Sequence, residues 1–234
     1  MARKVVKAVD ATLGAVGRAW LRHMIVHPLL VLLYRVEVRG MDAGLSIKDG
    51  GIVVARHVSR MDPALLMDAA WPFARVRPTA WWQEYDHPLQ KWAMVLFGAV
   101  RLGSDRSLPS VERRQRTLET KGVLSKLLRG GWGLLIFPEG GIGNGDVVTI
   151  PPGLTGVHDL VAEHPDKPVL LVQVEGLERS RFGKKRPCVP WWKRLHVVIT
   201  LTRVDRFSIE GGPEGVNARL EKFFQDETVE LSAP

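Results

Sequence analysis

Residues 51–66 read GIVVARHVSRMDPALL. An apolar run, Ile52 to Ala55, leads directly into Arg56, His57, Ser59, Arg60 and Asp62, and apolar residues resume at Leu65. An imidazole followed five residues later by a carboxylate has the makings of a base and its orienter. A turn of that length folds the Asp62 carboxylate back onto one ring nitrogen of His57. The carboxylate then fixes the tautomer and stabilises the imidazolium, and the other nitrogen is left to take a proton from a hydroxyl. This is the base-and-orienter half of a Ser-His-Asp triad, with the hydroxyl supplied by a substrate. The alternative is structural: Asp62 caps a helix that starts at Pro63, and His57 is a satisfied strand-end residue. A second stretch, LLIFPEGGIG (134–143), repeats the pattern. An apolar run again ends in a tight turn, and Pro138, Gly140 and Gly141 account for the turn. They do not account for Glu139, which is delivered to the same place in a second strand-loop unit.

The elements that must position these groups are legible from periodicity. YRVEVRG (34–40) alternates Val36 and Val38 with charged neighbours, the period of a half-exposed strand. Residues 51–55, 132–137 and 169–174 are continuously apolar, as strands covered on both faces are. Residues 97–102 and 196–203 read as further strands. Helices are expected at 63–71, 107–129 and 213–227; in the second, Val111, Leu118, Leu124 and Leu128 fall roughly on one face, and Gly130-Gly131 ends it. The alternation predicts an α/β fold: a mostly parallel central sheet flanked by helices. In such sheets functional groups gather beyond the carboxyl ends of the strands, where both His57 and Glu139 fall. The expected division is an N-terminal helical, membrane-associating region, 1–34, and an α/β domain, 35–234.

With these residues in view, the chain resembles the glycerolipid, or lysophospholipid, acyltransferases, and among them the 1-acylglycerol-3-phosphate acyltransferases. RHVSRMD followed roughly eighty residues later by FPEG matches that family's histidine-x4-aspartate and FPEG blocks. FGAVRLGSDR resembles the block that ends in a phosphate-binding arginine, and KPVLLVQVEG the final apolar strand block. The resemblance spans most of residues 34–178. It implies that His57, oriented by Asp62, deprotonates the acceptor hydroxyl, whose oxygen then attacks the thioester of an acyl-CoA or acyl-ACP. It implies that Arg106 or Arg101, Arg106 being favoured, holds the acceptor phosphate through paired guanidinium hydrogen bonds. It implies that Glu139 and the Gly140 backbone organise the acceptor site. No cofactor is implied beyond the acyl-CoA or acyl carrier protein co-substrate. Departures bear on the acceptor: Arg56 stands where the family has asparagine, Gly141-Ile142-Gly143 where it has Thr-Arg-Ser, and Trp82-Gln83 near a frequent lysine. The expected function is transfer of an acyl group to a lysophospholipid such as 1-acylglycerol-3-phosphate in phospholipid biosynthesis. The alternatives are a different acceptor headgroup, or a catalytically silent membrane-bound scaffold.

Composition bounds the partners. The 234 residues carry a net charge of +8 and a pI near 9.9, which fits a polyanionic partner. Nucleic acid would need a concentrated basic-aromatic surface. Only 179–194, with Trp191-Trp192, offers one, so an anionic membrane surface is preferred and no nucleic-acid partner is expected. A serine hydrolase is excluded by the lack of a G-x-S-x-G elbow. No metal site is expected: His23 and His27 have no third ligand nearby and read as interfacial histidines. The single cysteine, Cys188, fits a reducing compartment. The apolar tract from Ile25 to Tyr34 is short of the about 20 residues needed to span a bilayer. With Lys4, Lys7, Arg18, Arg22 and Trp20 it reads as an interfacial anchor, the alternative being an ordinary packed helix. The expected location is the cytoplasmic face of a membrane, peripheral or monotopic.

Overall fold

The computed structural model describes residues 17, 20, 22–40, 47–72, 75–88, 91–103, 107–143, 147–180, 182, 190 and 193–225. Seven strands form one sheet: β1 (Tyr34–Arg39), β2 (Gly51–Ala55), β3 (Arg75–Trp81), β4 (Val100–Leu102), β5 (Trp132–Ile136), β6 (Val169–Glu175) and β7 (Leu195–Val204). Their spatial order is β1-β7-β6-β2-β5-β3-β4. Every neighbouring pair is parallel except β6 with β7. The carboxyl ends of β2 to β6 therefore share one edge of the sheet with the amino ends of β1 and β7. The expected α/β architecture is the observed one.

The continuously apolar strands are explained by two separate cores. Successive side chains on a strand point to opposite faces. Val53, Ala55, Leu135, Leu170 and Val172 pack on one face, with Ala64, Leu65 and Leu66 of α2 (Asp62–Ala70) and with Leu30 of α1 (His27–Leu33). Ile52, Val54, Leu134, Ile136, Val169 and Leu171 pack on the other. Their neighbours there come from α5 (Ser110–Arg129), α6 (Gly156–Glu163) and α7 (Gly212–Gln225). Ile52, Val54, Leu134 and Leu171 are wholly buried; each such side chain contributes about 1.5–3 kcal/mol of burial. Two short helices, α3 (Trp82–Asp86) and α4 (Lys91–Leu96), connect β3 to β4.

One strand lies outside the sequence expectations, and one expectation is corrected. Residues 75–81 form a strand that periodicity does not announce, because Arg75, Arg77 and Pro78 break the apolar pattern. Its place is secured by pairing with β5 and by Thr79, whose hydroxyl donates to the Leu135 carbonyl at 2.9 Å. In α5, Leu124 and Leu128 are buried, but Val111 and Leu118 are 78% and 62% exposed. At about 100° per residue those two pairs lie on different sides of the helix.

Candidate active site

The two sequence motifs meet at the common edge of the sheet because β2 and β5 are adjacent and parallel. Val54 pairs with Ile136, so the chain leaves both strands at the same level. Beyond β2, residues 56–61 turn into α2, whose first residue is Asp62. The Asp62 carboxylate folds back over this turn. Its Oδ2 accepts the Val58 N–H at 2.6 Å and the Ser59 N–H at 2.9 Å, and lies 2.9 Å from His57 Nδ1. Asp62 is completely buried, and its Oδ1 has no protein partner. Burial pushes its carboxyl above the ordinary value, while the His57 ring and the two amides pull the other way. Two backbone N–H groups donating to Oδ2 make that oxygen an acceptor, which favours the His57 tautomer with its proton on Nδ1. A helix cap would direct those bonds to the amides of α2, and Asp62 makes no cap bond of that kind.

Beyond β5, Phe137-Pro138-Glu139-Gly140 makes a β-turn closed by the Gly140 N–H on the Phe137 carbonyl at 3.1 Å. Proline at the second position and glycine at the fourth are what such a turn favours. Gly140 has φ +70°, and a Cβ there would come within 2.9 Å of the Leu154 side chain and 3.3 Å of Trp81 Nε1. The turn leaves Glu139 at its third position, where Oε2 accepts the His57 backbone N–H at 2.6 Å. Burial pushes the Glu139 carboxyl up, against that hydrogen bond and the charge of Arg56. The Phe137 ring stacks on the His57 imidazole, with centroids 4.3 Å apart and planes 24° from parallel. Gly143 donates its N–H to the His57 carbonyl at 2.7 Å. The His57 side chain is 17% exposed.

The structure thus brings His57, Asp62, Glu139 and Gly140 together. Arg101, near the end of β4, is engaged elsewhere: its Nε and Nη2 donate to Asp86 Oδ2 of α3 at 3.0 and 2.6 Å. Arg106 lies outside the described residues, as does most of the 179–194 patch. Sequence reading missed two neighbours. The Trp81 ring packs so closely on Gly103 that a Cβ there would meet it at 2.6 Å, and its Nε1 lies beside Gly140. Phe182 accepts the Arg60 N–H through its carbonyl at 3.1 Å, bringing residue 182 to the His57 loop. A tryptophan at a strand end, and a phenylalanine over a hundred residues from the motif, carry no local signal of this role.

Residues 35–191, more than half of the chain, match the family described as Acyltransferase. The chain belongs to the acyltransferase family. Among solved structures, this acyltransferase is similar to the 1-acyl-sn-glycerophosphate (LPA) acyltransferase PlsC from Thermotoga maritima. That likeness has a TM-score of 0.55 and 20% identity, and covers 99% of this chain and 83% of the other. At that identity the likeness bears on the fold, and it extends over the sheet and helices described above. Among curated proteins no sequence matches at a significant level.

The segment before β1 sits beside the same edge. Arg22 pairs with Asp68 of α2 at 2.7 Å, and His27 Nδ1 lies 2.8 Å from the same carboxylate. Arg22 also lies over the Trp71 ring, and His23 meets that ring edge-on. His27, expected at an interface, thus contacts a carboxylate of the domain. On the outer side Trp20, Met24, Ile25, Leu29 and Leu32 are all about half exposed or more. Among the described residues no helix is long and apolar enough to cross a membrane.

Proposed function

We propose that this acyltransferase moves a fatty acyl group from acyl-CoA or acyl-ACP to the hydroxyl of a lysophospholipid such as 1-acylglycerol-3-phosphate, in phospholipid biosynthesis. The observation that carries the reading is the contact between His57 and the wholly buried Asp62. With Asp62 as acceptor, the His57 ring proton sits on Nδ1 and Nε2 presents its lone pair. Nε2 takes the acceptor's hydroxyl proton as that oxygen attacks the thioester carbonyl. The tetrahedral intermediate collapses, the thiolate leaves and the imidazolium returns the proton to it. Asp62 stabilises the imidazolium between those steps, so no acyl-enzyme is needed.

Acceptor binding falls to Arg106, because Arg101 is already held by Asp86. Gly140 and its turn shape that side of the site. Trp81 and Phe182, 36% and 43% exposed, supply apolar surface for an acyl chain at the same edge. The exposed apolar residues of the N-terminal segment dock the enzyme peripherally or monotopically, at the cytoplasmic face of a membrane, where its acceptor resides. One observation favours a different acceptor headgroup. Residues 141–143 hold no arginine, and the amide of Gly143 is spent on His57, which leaves a phosphate with fewer cations and fewer hydrogen-bond donors.

The test is to incubate the purified protein with labelled acyl-CoA or acyl-ACP and a panel of lysolipids, and to identify products by mass spectrometry. Diacylated phosphatidate from lysophosphatidate, absent with His57→Ala, is the expected result. A product formed only from another lysolipid would reassign the acceptor.

A further inference from the structure

We infer that Glu139 is a positioning residue that acts on His57, and that the acceptor is not its ligand; the inference rests on the acyltransferase reading of the site. Four contacts from the 137–143 loop and from Asp62 meet on one residue. The Glu139 carboxylate holds the His57 N–H at 2.6 Å, and the Gly143 N–H holds the His57 carbonyl at 2.7 Å. Phe137 covers a face of the ring at 4.3 Å, and Asp62 holds Nδ1 at 2.9 Å. The peptide groups on both sides of the His57 Cα are therefore fixed by a loop 82 residues away. Fixing those two peptides sets the direction of the Cα–Cβ bond, and with it the position of Nε2.

The chemistry of the acid fits this task. A backbone N–H beyond a strand end has no ladder partner, and leaving it unmet in a part-buried site is costly. A carboxylate gives a shorter and stronger bond to it than a neutral acceptor would. The other oxygen, Oε1, occupies the space beside Gly143, where an added Cβ would stand 2.8 Å from it. An anionic side chain is also a poor ligand for a phosphate-bearing acceptor, since like charges repel. The glycine at 143 thus has a steric reason to replace a larger residue, because the carboxylate occupies the space a side chain would need.

The experiment measures kcat and the acceptor KM separately for Glu139→Ala, Glu139→Gln and Gly143→Ala, with whichever lysolipid the wild type acylates. A misplacement of a reacting group by about 1 Å costs on the order of a hundredfold. Glu139→Ala and Gly143→Ala should lower kcat about 10- to 100-fold and leave the acceptor KM within about twofold. Glu139→Gln keeps an amide oxygen that accepts the same N–H, so it should restore most of kcat. A large rise in acceptor KM with kcat retained would overturn the inference and return Glu139 to the acceptor. So would a Gln variant as impaired as the Ala variant. Backbone amide exchange of His57, followed by NMR on the full chain without substrate, gives a readout independent of turnover. The amide should be protected in the wild type and in Glu139→Gln, and should exchange faster in Glu139→Ala. Unchanged protection in Glu139→Ala would sink the clamp whatever the enzyme acylates. Protection lost as expected, with no acyl transfer by the wild type, would instead reject the proposed activity.

Discussion

At the scale of single residues, the proposed mechanism separates a base, His57, from the groups that aim it. His57 is the only titratable ring with a wholly buried carboxylate on one nitrogen among the described residues. His57→Ala should reduce acyl transfer by about 10²–10⁴ in a chain that still folds. Turnover close to wild type would remove the dyad. Glu139 makes a second, pH-dependent prediction. Burial raises its folded-state value above the ordinary 4.5. The native chain therefore holds that proton more tightly than the unfolded chain. Its contribution to stability is full below that ordinary value and is lost as pH rises through the folded one. Glu139→Gln cannot titrate, so its melting temperature should gain on that of the wild type as pH rises from about 4 to about 7. A difference that stayed constant across that range would refute the assigned shift. Asp62 is raised by burial too, but it is present in both proteins and cancels from the comparison.

At the scale of elements, the strand ends and helix starts set where charged side chains stand. Arg101, within β4, is held by a carboxylate, Asp86, whereas Arg106 lies outside the described residues. Arg106→Ala should raise the acceptor KM about 10- to 100-fold, the loss of a charge-assisted pair, with the donor KM little changed. Arg101→Ala should have the smaller effect on acceptor binding. Steady-state kinetics with each substrate varied in turn settles the order. Helix α5 gives a contrast in stability. Leu128→Ala should cost about 2–5 kcal/mol because the side chain is wholly buried against the sheet. Val111→Ser and Leu118→Gln should stay within about 0.5 kcal/mol, since both side chains face solvent. Urea unfolding of the three variants tests the assignment of that helix's buried face.

At the scale of the whole molecule, an exposed apolar flank lies beside the edge that carries the candidate site. Truncating the chain near Tyr34 would expose the core, because Leu30 and Tyr34 are only 2% and 3% exposed and pack into it. Serine at Met24, Leu29 and Leu32 removes outward apolar groups and spares Leu30. This triple variant should co-sediment more weakly with anionic liposomes. High salt should weaken the unaltered protein only partly, as basic residues near an anionic surface add on the order of 1 kcal/mol each and are screened. Equal sedimentation of the two proteins would place the anchor elsewhere, with residues 179–194 the first candidate.

Much of this was open to sequence alone, for a physical reason. A strand covered on both faces must be apolar throughout, so GIVVA and WGLLI declared themselves, and with them the α/β class. A histidine and an aspartate five residues apart meet through a local turn, so their contact was legible from spacing. What depended on long-range pairing was not. The strand β3 carries Pro78 and two arginines, and only its neighbours β5 and β4 make it a strand. The engagement of Arg101 with Asp86 joins β4 to a helix whose approach no periodicity encodes. The sequence placed Glu139 at the correct edge because β5 ends there. That its carboxylate meets the backbone of His57 followed only when β2 and β5 lay side by side, with Val54 opposite Ile136, and two turns 82 residues apart came within a hydrogen bond.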